Sequence, residues 1–381
     1  MTIDWTPWPT PAKIRVPVSK PQISSQDMAS VSEVLSRSDV SLGAETRMFE
    51  EEFGEYVNSN ALAVSNGSVA LILALKALGI GPGDEVIVPS LTFAATASSV
   101  IHVGATPVFV DVSPDHWTVQ LPAIEEAHSQ LVKAIIPVHI YGLACDIKQL
   151  GQWAASNDVR VIEDSAEALG GSHNGEPVGG SGDFSTWSLY GNKVITSGEG
   201  GIVTTRDPRL YSKARSLRGQ GMSPSRRYFF DEAGYNFRMS NVAGALALSQ
   251  WRSISSKLLD RRRVFDSYKS LLGEYVKTPT PLPNTLQAPW QFTASIPGFS
   301  YEQTLQVAQH LASRGVETRP VFYPLPDMPA FRQFKSYGVV AASQIASSSL
   351  SLPTFPQLSE SDICFVASTV IEGISKVRRQ G

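Results

Sequence analysis

Cysteine is scarce in this chain: among 381 residues only Cys145 and Cys364 occur, far apart. Two such residues cannot build a disulfide framework, and they are not spaced as a metal-binding pair. A reducing compartment, the cytoplasm by default, suits that composition. Charge is also modest. Charged residues make up 18% of the chain and the formal net charge is −3, so no strong field exists to gather nucleic acid or an anionic membrane. Long apolar runs are missing as well. The richest stretch, residues 69–78, is interrupted by Lys76 and is too short to span a bilayer. The opening MTIDWTPWPTPAKIRVP has no apolar core flanked by basic residues, so no signal peptide is expected.

What is present is a globular composition. Hydrophobic residues make up 42%, enough to bury a large core and to expect more than one domain. The first twenty residues hold four prolines and alternate poorly, which reads as a surface arm over residues 1–19. Residues 26–57 carry a helical pattern broken at Ser41-Leu42-Gly43. A β/α rhythm follows: helices over residues 68–78 and 94–103, and strands over 85–89, 106–110, 134–139, 159–162, 184–189 and 201–205. The alternation predicts an α/β fold with a mainly parallel, doubly wound sheet over residues 20–255. Runs such as VIV and AIIPV are apolar throughout, as strands covered on both faces should be. Residues 255–272 form a long charged amphipathic helix. It is read as the link to a smaller C-terminal α/β domain spanning 256–381, with a strand over 290–296, a helix over 301–314 and a closing helix from Ser359.

Ligands of open α/β sheets sit beyond the carboxyl ends of the strands, so the residues there carry the functional reading. Ser65-Asn66-Gly67-Ser68 precedes an Ala/Leu helix. Such a turn offers free N–H groups and the positive end of the helix dipole to an anion, although an ordinary N-cap at Ser68 explains it too. Asp164 follows a buried strand, where a carboxylate is costly unless it meets a cation or hydrogen-bond donors; a helix cap is the ordinary alternative. Lys193 lies in Ser188-Leu189-Tyr190-Gly191-Asn192-Lys193, a glycine- and hydroxyl-rich loop after an apolar strand. Most lysines are solvated surface groups, but one whose pKa is lowered there can condense with an aldehyde. Ser197-Gly198-Glu199-Gly200-Gly201 implies either close backbone approach or a hairpin turn.

Taken together, these stretches resemble the DegT-type sugar aminotransferases, a branch of the fold-type-I enzymes that use pyridoxal 5'-phosphate (PLP). The resemblance runs from about residue 20 to 371. It rests on SNGSVALILALKALGIGPGDEVIVPSLTF, GATPVFVDV, AIIPVHIYGLACD, VIEDSAEALG, GDFSTWSLYGNKVITSGEGG, GYNFRMSNVAGALAL, ETRPVFYP and SLPTFPQLSESDI. It implies that Lys193 forms the Schiff base and shuttles the proton, and that Asp164 pairs with the ring nitrogen. Glu167 would bind the ring hydroxyl, Gly67, Ser68 and Ser188 the phosphate, and Phe93 would stack on the ring. Asn236 would reach the phosphate of a partner subunit, which implies a homodimer with shared sites. His139, Arg238, Arg319 and Tyr323 are candidate neighbours of the sugar or its pyrophosphate, each with structural pairing as the alternative. No metal site is expected.

The implied reaction transfers an amino group from an amino acid, by family analogy L-glutamate, to a nucleotide-linked keto sugar, with pyridoxamine 5'-phosphate carrying it between the two. The stretches GNK, GYNFRMSN and ETRPVFYP look most like the branch that aminates C4 of GDP-4-keto-6-deoxymannose, the perosamine synthases. Two positions depart from that pattern: Leu169 and Pro326 stand where relatives carry histidine. A dTDP-linked, UDP-linked or free keto sugar is therefore the alternative acceptor. A sugar dehydratase on the same scaffold would carry histidine in place of Lys193, and a non-catalytic regulatory protein would have no need of Lys193 and Asp164.

Overall fold

The computed structural model describes residues 5–380; the first four residues of the expected arm lie outside them. Eight strands form the main sheet. They are β1 (Asn60–Val64), β2 (Glu85–Pro89), β3 (Thr106–Val110), β4 (Val132–Ile135), β5 (Arg160–Asp164), β6 (Phe184–Ser188), β7 (Gly201–Thr205) and β8 (Ser336–Tyr337). Their spatial order is β1-β7-β6-β5-β4-β2-β3-β8. β7 is antiparallel to both its neighbours, while every other pairing is parallel. Seven strands therefore point their carboxyl ends to one edge. Reversed β7 brings its first residue, Gly201, to that same edge, opposite Val64 and Ser188.

The structure thus has the mainly parallel α/β sheet that the alternating pattern predicts. The differences are local and have physical causes. β1 was not expected, because its sequence NALAV is short and alanine-rich and has little β-branched character. β4 stops at Ile135 rather than 139 because Pro137 has no N–H to donate. The pairing nonetheless continues irregularly, with Asp164 N–H bonding the Pro137 carbonyl and His139 N–H bonding the Asp164 carbonyl. In the C-terminal part, only Thr293–Ser295 of the expected 290–296 strand is extended and paired. Trp290 is left in a loop beneath Lys193.

Two hydrophobic layers hold the sheet. One includes Leu73, Val86, Val100 and Phe109, packed under the helices Gly67–Ala77 and Ala94–His102. The other includes Phe53, Ile135, Trp187 and Trp251. There the Phe53 ring lies 5.3 Å from Trp187 and 5.1 Å from Trp251. A third core, around Phe265, Tyr268, Phe292, Val307 and Val370, belongs to the C-terminal unit. In that unit the strands Thr293–Ser295, Ser349–Ser351 and Arg319–Pro320 form a small antiparallel sheet. The arm joins this unit: Val16 bridges Val316, and Trp8 Nε1 donates to Thr318 Oγ1 at 3.0 Å.

The expected boundary at 255/256 is crossed by the chain itself. β8, from the C-terminal third, adds to the main sheet beside β3. Phe331 packs edge-on against Phe109, their centroids 6.2 Å apart. No helix among the described residues is long and apolar enough to cross a membrane.

Because Phe109 is wholly buried and joins β3 to this returning segment, Phe109→Ala should lower the unfolding free energy by about 3–5 kcal/mol. Chemical denaturation checks this, and a loss below about 1 kcal/mol would mean that the segment does not pack there.

Candidate active site

Asp164 is the last residue of β5 and is 5% exposed. Its carboxylate accepts from Thr96 Oγ1 at 2.8 Å and from the Ala166 N–H at 3.2 Å. Thr96 gives its proton to Asp164, so the Thr92 hydroxyl, 3.0 Å away, is the donor to Thr96. These bonds do not compensate for burial. Desolvation pushes the Asp164 carboxyl above its ordinary value, against the pull of Thr96, Ala166 and Lys193. Among the described residues, no cationic side chain makes an ion pair with it within 4.0 Å.

Lys193 lies in the loop that carries the chain from β6 back into β7. Its Nζ is 3.9 Å from Glu167 Oε1 and 3.9 Å from the centre of the Trp290 ring. Burial lowers its pKa, opposed by the charges of Glu167 and Asp164. Glu167 in turn accepts the Tyr141 N–H at 2.7 Å. Burial lifts the Glu167 carboxyl from 4.5 to about 7, with Asp164 adding to the rise and Lys193 and the Tyr141 N–H opposing it. Two buried acids and one buried amine thus share a space that disfavours charge on all three.

The anion turn lies at the same edge. The cap of the Gly67–Ala77 helix is Asn66, not Ser68: its side chain accepts the Val69 N–H at 2.9 Å. The N–H groups of Gly67 and Ser68 take no partner among the described residues. A Cβ on Gly67 would lie 3.1 Å from Ser188 Cβ, so the turn and the end of β6 approach closely. Gly201 completes the approach, since a Cβ there would sit 2.5 Å from the Asn66 carbonyl oxygen. Both readings of the glycine cluster hold: Gly198, at φ +83°, makes the turn, and Gly201 permits the contact. Phe93 caps the Ala94–His102 helix, 59% exposed, with its ring 5.7 Å from Phe322.

The structure does not gather the other expected residues around Lys193. His139, expected as a neighbour of the sugar, is fully buried inside the protein. Its Nδ1 accepts the Cys145 N–H at 3.0 Å, so Nε2 carries the proton and faces Glu163 at 3.1 Å. Neither nitrogen is left for a substrate. Glu163 also accepts from Ser181, Gly182 and Gly179 N–H groups and from the Ser185 hydroxyl. Arg238 donates to the Gly219 carbonyl at 3.1 Å and lines a separate cleft of about 1160 Å³ with Arg47, Glu50, Arg215 and Arg218. Arg319 is exposed and paired with Glu317 at 3.3 Å. Tyr323 turns to the arm, with its hydroxyl 3.0 Å from that of Tyr301 and its ring 4.5 Å from Trp5. Its predecessor Phe322 faces the site instead. Asn236 is exposed, and its side-chain amide has no partner among the described residues. Leu169 and Lys193 line the same small cleft.

Several residues were missed. Tyr141, at φ +49°, is stacked between Trp290 and Phe322, with centroids 5.8 and 5.3 Å away. Its hydroxyl accepts the Phe322 N–H at 3.1 Å. Phe93, Phe322, Tyr141 and Trp290 therefore form a continuous aromatic wall ending under the Lys193 amine. Thr92 and Thr96, four residues apart just after β2, carried a signal that the strand-end rule could have used. Tyr141 and Trp290 carried none beyond aromatic character. Among the described residues, no group of three or more His, Cys, Asp or Glu side chains is placed to hold a metal.

Residues 21–371 match the profile of the DegT/DnrJ/EryC1/StrS aminotransferase family. The GDP-perosamine synthase of Caulobacter vibrioides is 40% identical over 355 residues, covering 92% of this chain and 95% of that protein. The GDP-perosamine synthase of Escherichia coli O157:H7 is 37% identical over 360 residues, covering 94% and 98%. Among solved structures, a Streptococcus pneumoniae protein assigned as a sugar aminotransferase superposes in its PMP form with TM-score 0.90 at 27% identity, covering 96% of this chain and 99% of that one. Its PLP form gives TM-score 0.89.

The raised Glu167 carboxyl has a measurable consequence in cofactor-free protein. The folded state holds a proton there that the unfolded chain releases, so this contribution to stability is full below pH 4.5 and is lost as pH rises through about 7. Across that interval the unfolding free energy of the wild type should fall relative to Glu167→Gln. Parallel curves for the two proteins would refute the shift.

Proposed function

The chain belongs to the DegT/DnrJ/EryC1/StrS aminotransferase family, and on that footing we propose that it is a PLP-dependent transaminase that moves an amino group from L-glutamate to C4 of a GDP-linked 4-keto-6-deoxy sugar. One observation carries the reading: the Lys193 amine is buried against Glu167, beside an Asp164 carboxylate that has no cationic side-chain partner. The identity of the sugar rests on the perosamine synthases among the relatives.

The residues present fit the cofactor. A buried carboxylate without a cation suits a protonated ring nitrogen. Two free N–H groups beside a glycine and Ser188 suit a phosphate. An amine held toward its neutral form suits attack on a carbonyl. When bound, PLP supplies an electron-poor ring that takes up the charge of a carbon losing its proton.

The protein's own residues do the rest. Lys193 would hold the cofactor through its amine, and the same amine, when free, would take up and return the proton. Burial disfavours the charged form of that amine, which favours its action as a base. Asp164 would hold the ring nitrogen in its charged form, its carboxylate oriented by Thr96 on one oxygen and by the Ala166 N–H on the other. Glu167, oriented by the Tyr141 N–H, accepts from the ring hydroxyl. Gly67, Ser68 and Ser188 hold the phosphate, and Phe93 covers the ring. The unpartnered Asn236 completes the phosphate site of a second copy, making the working unit a homodimer. A reducing cytoplasm suits the two free cysteines.

Lys193→Ala should reduce turnover by at least about 100-fold. Asp164→Asn should reduce it by about 100-fold or more without lowering the unfolding midpoint. Wild-type turnover in either folded variant would refute the assigned role. The acceptor is identified by treating the holoenzyme with L-glutamate until its visible cofactor band is lost, then adding GDP-, dTDP- and UDP-linked keto sugars separately. The band should return with the GDP-linked 4-keto-6-deoxy sugar, and return only with a dTDP or UDP sugar would overturn the GDP assignment.

A further inference from the structure

Arg261 is among the largest fully buried side chains of the described residues, 2% exposed, on the inner face of the Ile254–Leu272 helix. Burial lowers its pKa to about 10, so it remains a cation at neutral pH. Among the described residues, no carboxylate lies within 4.0 Å of it. A lone buried cation is costly, and an apolar residue of similar volume would pack without that cost. What the guanidinium has instead is three backbone carbonyls. Nη1 donates to Trp290 O at 2.6 Å and to Thr354 O at 3.1 Å. Nη2 donates to Lys193 O at 3.2 Å. Nε has no partner.

The three carbonyls come from three separate stretches of chain. Lys193 belongs to the β6–β7 loop of the main sheet. Trp290 lies where the chain enters the C-terminal unit, and Thr354 just beyond that unit's strand Ser349–Ser351. The unit is tied in further at Thr354, whose Oγ1 accepts the Phe292 N–H at 3.0 Å and whose own N–H donates to Val18 O of the arm at 3.0 Å. The Trp290 ring lies 3.9 Å from the Lys193 amine, and its indole N–H donates to Asn192 O at 3.0 Å. One guanidinium thus holds the peptide of the lysine and the backbone of the ring against which the amine rests. The next two residues act alike on neighbouring stretches. Arg262 donates to Gln287 O, and Gln287 Nε2 donates to Tyr141 O at 3.0 Å; Arg263 donates to Leu358 O at 2.7 Å.

We propose that Arg261 is a positioning residue for Lys193: it locks the lysine's backbone to Trp290 and Thr354, so that the placement of the C-terminal unit sets the placement of the reactive amine. This rests on the reading that Lys193 is the cofactor-bearing lysine. Arg261 touches neither cofactor nor substrate. It acts by denying the β6–β7 loop a shift relative to the Trp290 ring. A misplacement of about 1 Å at a reacting group is enough to cost on the order of 100-fold in rate.

The test uses full-length apoprotein of wild type, Arg261→Lys and Arg261→Gln, each first shown to be folded by circular dichroism and a cooperative melt. Each is mixed with PLP, reduced with borohydride at timed intervals, and mapped by peptide mass for the modified lysine. The variants should modify Lys193 between about 10- and about 100-fold more slowly than wild type. Arg261→Lys, which keeps the charge but cannot span three carbonyls, should lie nearer wild type than Arg261→Gln. In the holoenzymes kcat should fall in parallel while KM for the keto sugar changes little. Folded variants that trap PLP at the wild-type rate with unchanged kcat would overturn the proposal, as would variants altered only in melting temperature. Should neither of these variants fold, Arg261→Met takes their place, an apolar side chain of similar volume that packs without the cost of a buried charge and makes none of the three bonds. Slower trapping in that variant supports the proposal and an unchanged rate refutes it. Modification of some other lysine in the wild type would instead bring down the reading of Lys193 itself.

Discussion

The site is organised by a carboxylate that the fold buries without neutralising. Asp164 ends β5 in the middle of the sheet, receives two hydrogen bonds and meets no cationic side chain. A charge so placed is tolerated only when something supplies the opposite sign. Lys193 supplies part of it from a distance, and Glu167 works against it. The three groups are balanced so that none is comfortably charged, and the cationic ring proposed for this site would relieve that strain. The Thr92–Thr96 relay, the Tyr141 N–H and the Trp290 ring all hold members of this set in place. The parallel sheet matters because it delivers the set. Strand ends from β1, β2, β5 and β6 come to one edge, and reversed β7 brings Gly201 against the Asn66-Gly67 turn.

Much of this was legible in the sequence, for a definable reason. Asp164 and Lys193 stand out because apolar strands end next to them, and strand ends are where such sheets bind ligands. Gly67 stands out through its turn, whereas Ser188 entered through the family resemblance. What was not legible depends on contacts made at long sequence separation. His139 sits beside a site motif, but its role is decided by Cys145 and Glu163, which occupy both ring nitrogens. Tyr323 was the candidate, and the tertiary path of the chain turns it to the arm while its neighbour Phe322 meets Phe93. Asn66 took the cap expected at Ser68, and that exchange leaves two N–H groups free at the turn.

Arg261 shows the same limit from the other side. The pattern of residues 255–272 predicts a charged amphipathic linker helix and does not distinguish its three consecutive arginines. Consecutive positions on a helix are about 100° apart, so three in a row cannot share one exposed face. One of them is driven inward, and there it meets backbone carbonyls rather than acids. Sequence periodicity reports how much of a helix is polar; it does not report whether a polar group faces water or the interior.

The returning strand β8 bears on how the molecule is made. Ser336 and Tyr337 cover the outer edge of β3, opposite Phe109 and Val110. During synthesis that edge stands open from the emergence of residue 110 until residue 337 has left the ribosome. Exposed, apolar strand edges are templates for wrong partners. The nascent chain therefore passes through a long interval in which its largest sheet is one strand short, and that interval, rather than the finished molecule, is where aggregation would begin.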